Sequence, residues 1–159
     1  MTSAPTTRTL TLVVAAALFM ESLTSTVIAT SLAAIAADLQ VDPLTLKLAF
    51  TAYFVALAIF IPISGWCADR FGAKTVFAAA IGVFTLSSIG CALAWNLPSL
   101  VVGRFCQGLG GAMMLPVGRL ILLRAIPKAE MVSAMAWLGI PTLFAPILGP
   151  PVGGFITTY

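Results

Sequence analysis

Residues 48–68 read LAFTAYFVALAIFIPISGWCA and residues 75–95 read TVFAAAIGVFTLSSIGCALAW, two 21-residue runs without a charged side chain, joined by Asp69-Arg70-Phe71-Gly72-Ala73-Lys74. A bilayer's hydrocarbon core is ~30 Å thick, and about 20 residues of helix cross it with every backbone N–H and C=O paired internally. Each run is therefore long enough to span, and the charged hexapeptide is the turn that keeps its ions in water. Two spans joined by so short a polar turn form an antiparallel helical hairpin, and the rest of the chain repeats the pattern.

Three further runs meet the same test. Residues 9–37 contain one charge, Glu21; residues 100–120 carry Arg104 inside and Arg119 at their end; residues 131–157 carry none. The connections between runs hold the breakers, Asp42-Pro43 within 38–47, Asn96-Leu97-Pro98, and Pro127 within 124–130. The expected fold is an all-α membrane protein, a polytopic transmembrane helical bundle with spans at about 9–37, 48–68, 75–95, 100–120 and 131–157. Arg8 ahead of the first run and Ala34-Ile35-Ala36 near its end invite comparison with a cleaved signal peptide. Glu21 would interrupt a signal's apolar core and the run is longer than such cores, so it is read as the first span. An odd number of spans stopping at Tyr159 just after an apolar stretch predicts an incomplete N-terminal transmembrane domain, whose partners are further C-terminal helices of the same protein.

Composition narrows the function. Hydrophobic residues make up 60% of the chain and charged residues 8%, against about a quarter charged in soluble domains, so lipid is the main solvent. The eight basic and five acidic side chains cluster between the apolar runs, which does not suggest a nucleic-acid surface. There is no histidine, and Cys67, Cys91 and Cys106 have no metal-ligand spacing; they read as small buried residues. No enzyme activity, metal or cofactor is expected. Cytoplasmic loops retain Lys and Arg, and with the N-terminus inside that side holds Arg8, Arg70, Lys74, Arg119, Arg124 and Lys128 against Lys47 alone outside. The N-terminus is predicted to be cytoplasmic.

Four stretches carry candidate chemistry. In Gly65-Trp66-Cys67-Ala68-Asp69-Arg70-Phe71-Gly72-Ala73-Lys74 the glycines permit close helix approach and a tight turn, and Asp69 can pair with a cation or a helix N-terminus. In Arg104-Phe105-Cys106-Gln107-Gly108-Leu109-Gly110-Gly111 the 3.6-residue repeat puts Arg104, Gln107, Gly108 and Gly111 on one face. An arginine at membrane depth costs about 2.5–3.5 kcal/mol on insertion scales, so it either faces protein or water or snorkels to the outer interface. Glu21 is the one acidic side chain inside a span, which marks it for proton transfer unless it merely snorkels. In the last run Gly139, Leu143, Pro146, Pro150 and Gly153 recur at helical spacing, and Gly149 and Gly153 lie four apart, as expected of a bent helix packed tightly on a neighbour.

The first of these stretches resembles the GxLaDrxGrk signature between helices two and three of the major facilitator superfamily, with Cys67 where Leu is usual and Ala73 where a basic residue is usual. Arg104 to Gly110 resembles that family's RxxQGxG, and Gly149-Pro150-Pro151-Val152-Gly153-Gly154 resembles the end of GxxxGPxxGG, the mark of its proton-driven exporters. Residues 19–30 are similar to the first helix of the fourteen-helix drug:proton antiporters, although Thr24, Ala29 and Ala33 replace the usual Asp, Asn and Pro. The resemblance implies two six-helix halves built from inverted repeats. It further implies a cytoplasmic gate loop at Gly65, Asp69, Arg70, Gly72 and Lys74, proton coupling through Arg104 and Gln107, and an antiporter helix motif at Gly139, Pro146, Gly149, Pro150, Gly153 and Gly154; Glu21, as the one acid within a span, is the natural candidate to carry the proton. The expectation is a proton-coupled exporter of drugs or other amphipathic small molecules in the plasma (inner) membrane. Proton-coupled uptake or metabolite exchange on the same fold, and a purely structural membrane fragment, stay open as alternatives.

Overall fold

The computed structural model describes residues 4–127 and 130–158; Lys128, counted above for orientation, lies outside the described residues. The helices are α1 (Ala4–Thr30), α2 (Leu32–Asp38), α3 (Pro43–Phe71), α4 (Ala73–Ala92), α5 (Leu97–Ala125) and α6 (Met131–Thr158). Among the described residues five helices are long and apolar enough to cross a membrane, and α2 is a short addition to the first.

The first run differs from the single span expected over residues 9–37, because the helix is interrupted at Ser31. No proline is needed for the break. Thr26 Oγ1 donates to the Ser22 carbonyl at 2.8 Å, and Thr30 Oγ1 donates to the carbonyls of Val27 at 2.8 Å and Thr26 at 3.4 Å. Hydroxyls that bond back to their own helix compete for the carbonyls of the backbone ladder and bend it. Helix α2 then ends in a Schellman motif. Gln40 takes φ 52°, its N–H bonds the Ala37 carbonyl at 3.2 Å, and the Val41 N–H bonds the Ala36 carbonyl at 3.0 Å.

Helices α3 and α5 overrun their apolar runs because their caps lie in the polar zone, where hydropathy gives no signal. Asp42 accepts from the Leu44 N–H at 2.9 Å with Pro43 at the first position, so α3 starts five residues before residue 48. At α5 the Asn96 side chain accepts from the Ser99 N–H at 2.8 Å while Ser99 Oγ accepts from the Asn96 N–H at 3.4 Å, a reciprocal capping box.

The chain forms two compact units. The first holds residues 1–31 and 118–159, and in it α1 packs along α6. The second holds residues 32–117. There α3 buries Leu46, Ala49, Tyr53 and Ala56 at alternating spacings of three and four, and α4 buries Ala73, Val76, Phe77, Ala80 and Phe84 in the same rhythm. Ala36, Leu46, Ala49 and Leu100 form an apolar cluster where α2, α3 and α5 begin or end, extended by Val41, Cys91 and Ala94. Outside these stripes large apolar side chains are exposed, as at Leu86 (71%), Val102 (63%) and Leu143 (72%), which suits helices solvated by lipid. The three cysteines are half-buried rather than buried as expected.

Candidate functional site

The approach of α5 to its neighbours is set by residues with no side chain. A Cβ on Gly108 would stand 2.6 Å from the Tyr53 carbonyl oxygen and 2.8 Å from Ala56 Cβ, both on α3. One on Gly110 would stand 2.8 Å from the Ala80 carbonyl oxygen and from the Phe84 nitrogen on α4, and one on Gly103 would stand 2.8 Å from Cys91 Sγ. Glycine on two sides of α5 thus lets it press against two helices, and whatever polar side chain α5 carries there is enclosed.

Those side chains are Arg104, 4% exposed, and Gln107, 1% exposed. The guanidinium does not snorkel: Nη1 donates 2.7 Å to Oε1 of Gln107, one turn along the same helix. Gln107 Nε2 in turn donates 2.6 Å to Ser88 Oγ on α4, and Ser88 Oγ donates 2.8 Å to the Phe84 carbonyl. Arg104 Cζ lies 6.0 Å from the centroid of the Tyr53 ring, the outer range of a cation–π contact. Nη2 of Arg104 is buried without a hydrogen-bond partner among the described residues. Since burying an unsatisfied charged donor costs on the order of 1–3 kcal/mol or more, the site is polarised toward an acceptor. Arg104 and Gln107 are brought together as the helical spacing predicts. Ser88 and Tyr53 were not singled out; the sign of Ser88 is a Ser87-Ser88 pair inside an otherwise apolar run, and Tyr53 gave none.

Glu21 lies half-buried on α1 in the first unit. In the same unit a Cβ on Gly149 would collide with the Thr26 side chain, and one on Gly153 with Thr30 Oγ1, with the Val27 carbonyl oxygen at 3.2 Å. The packed stripe of α6 is therefore Ala134, Leu138, Ala145, Gly149 and Gly153, all buried. This corrects the stripe expected through Gly139, Leu143, Pro146 and Pro150, of which Gly139 is half-buried and the others are exposed. At 100° per residue the two rows lie roughly a quarter turn apart. Close approach needs a missing side chain, which glycine and alanine supply and a proline ring does not. A Cβ on Gly139 or Gly154 would meet no atom within 4 Å.

At the α3–α4 turn Gly72 has φ +87° and ψ 129°, a conformation that side chains disfavour, while a Cβ there would meet only Thr75 Oγ1 at 3.8 Å. Its role is the turn. Gly65 was expected to allow close approach, but it is exposed and a Cβ on it would meet no atom within 4 Å. Arg70 sits in the last turn of α3, where a cation complements the helix dipole, and Asp69, Arg70 and Lys74 are all exposed.

Five membrane-length helices define a multi-pass membrane protein, and within the second unit glycine-tight packing encloses an arginine. Residues 14–159 match the Major Facilitator Superfamily, and the chain belongs to that family. It is 44% identical over 152 residues, 96% of its length, to "Probable transport protein HsrA" of Haemophilus influenzae, of which it covers 33%. It is 42% identical over 147 residues, 92% of its length, to "Putative multidrug resistance protein MdtD" of Salmonella typhi, of which it covers 31%. The Yersinia enterocolitica protein of the same name is 43% identical over the same share of the chain. The chain thus spans about a third of the length of the curated relatives it matches.

Proposed function

We propose that the whole protein is a proton-coupled antiporter of the plasma (inner) membrane that exports drugs or other amphipathic small molecules, with its N-terminus on the cytoplasmic side. The observation that carries this reading is Arg104, enclosed in the span with one nitrogen tied to Gln107 and the other lacking an acceptor among the described residues. A buried donor of that kind is complementary to a carboxylate. A guanidinium keeps its proton throughout the physiological range whereas a carboxyl group has two protonation states, so the coupling proton resides on an acid and not on Arg104. Glu21 is the acid inside a span. The exposed turn at Asp69 to Lys74 serves as the cytoplasmic gate, and the Gly/Pro helix α6 keeps exchange free of leak. The printed name of the MdtD relatives supports drugs as the substrate class.

The test is the full-length protein in proteoliposomes with an imposed proton gradient and a fluorescent amphipathic cation. Expected is gradient-driven accumulation that Glu21→Gln and Arg104→Gln abolish, with substrate binding in Glu21→Gln largely intact. Transport indifferent to collapse of the gradient would refute proton coupling, and co-directional movement of proton and solute would replace export by uptake.

A further inference from the structure

The amide of Gln107 can serve Arg104 in only one of its two orientations. Arginine has donors and no acceptor, so Gln107 must turn Oε1 toward Nη1, and its Nε2 then points the other way and needs an acceptor in a place 1% exposed. Ser88 Oγ is that acceptor, at 2.6 Å. The hydroxyl can accept there because its own proton is committed elsewhere, to the Phe84 carbonyl 2.8 Å away on the preceding turn of α4. The order of donation therefore runs from Arg104 to Gln107, from Gln107 to Ser88 and from Ser88 to the backbone of α4. Remove the hydroxyl and Nε2 loses its acceptor, so that Gln107 is held by the bond to Arg104 alone and its plane is no longer fixed from α4.

We propose that Ser88 is a positioning residue for Arg104: through Gln107 it fixes the plane of the guanidinium and so the direction in which Nη2 is presented. The inference rests on the reading that Arg104 takes part in proton coupling, and it assigns to α4 a role that no motif in that helix announces. Because a guanidinium is planar, one well-directed bond to Nη1 orients the opposite nitrogen as well.

The experiment follows proton-driven transport against pH by the full-length protein in proteoliposomes. Ser88→Ala is expected to lower the rate roughly tenfold, the equivalent of one buried neutral hydrogen bond, and to displace the midpoint of the pH profile by about half a unit or more. Ser88→Thr should restore both, since a threonine hydroxyl makes the same back-bond, as Thr85 Oγ1 does to the Ile81 carbonyl at 2.8 Å. In a Gln107→Leu background Ser88→Ala should add nothing. If Ser88→Ala fails to accumulate, Ser88→Cys, similar in size and a weak acceptor, makes the same test. An undisplaced midpoint in Ser88→Ala, where Arg104→Lys does displace it, overturns the role of Ser88 and leaves proton coupling standing. An undisplaced midpoint in both variants overturns the coupling reading itself. A Ser88→Ala effect that persists without Gln107, or that appears where Arg104→Lys has none, shows that the serine does not act through this path.

Discussion

At the scale of single residues, the glycines separate into those that a neighbour forbids from changing and those that nothing holds. Gly108 faces main-chain atoms of α3, which cannot rotate away, so Gly108→Ala must push the helices apart at a cost of about 1–3 kcal/mol. Gly90, also helical, would give its Cβ open space, and Gly90→Ala should be neutral or stabilising by up to about 1 kcal/mol through the higher helix propensity of alanine. Thermal unfolding of the full-length protein in detergent distinguishes the pair: equal midpoints would mean that the α3–α5 approach is not the constraint described. The sequence made Arg104 and Gln107 legible as partners because a helix fixes which side chains three apart can meet. It could not reveal Ser88, 19 residues away from Gln107 on another helix, since tertiary proximity leaves no period in the chain.

At the scale of elements, the α1–α6 pair is tight where threonines of α1 meet glycines of α6. The atom that a Cβ on Gly153 would strike first is Thr30 Oγ1, whereas the Val27 carbonyl stands farther off at 3.2 Å. Gly153→Ala should therefore lower stability by about 1–3 kcal/mol, and a Thr30→Ala background should recover a good part of that loss. Strict additivity of the two substitutions in thermal unfolding would show that another contact limits the approach. A bulkier Gly153→Leu should go further and let protons pass without substrate, read as passive proton flux in proteoliposomes. The spans themselves were legible from apolar length, but their ends were not: Asp42 and Asn96 extend α3 and α5 through capping bonds that depend on one side-chain oxygen each. Nor was the seam of α6 legible in full, because helical spacing puts prolines and glycines in one row, and only the fit to α1 separates them.

At the scale of the whole molecule, the basic residues predict an orientation that can be checked without any transport assay. Lys74 lies in the first turn of α4 and Asn96 in the turn that follows that helix, and with the native cysteines replaced, Lys74→Cys should react with an impermeant maleimide only from the cytoplasmic side and Asn96→Cys only from outside. Reversed reactivity would invert the topology and move the Asp69–Lys74 turn to the outer face. Fold class was legible throughout because a bilayer admits so few ways to pair a backbone. The polar chain from Arg104 to the Phe84 carbonyl has a further consequence for how charge can cross such a molecule. An amide stands in its middle, and a primary amide neither gains nor gives up a proton at physiological pH, so the chain conducts orientation but is an electrical insulator. A proton is therefore not relayed along the hydrogen bonds that join α4 and α5; such a relay needs groups that can change their charge.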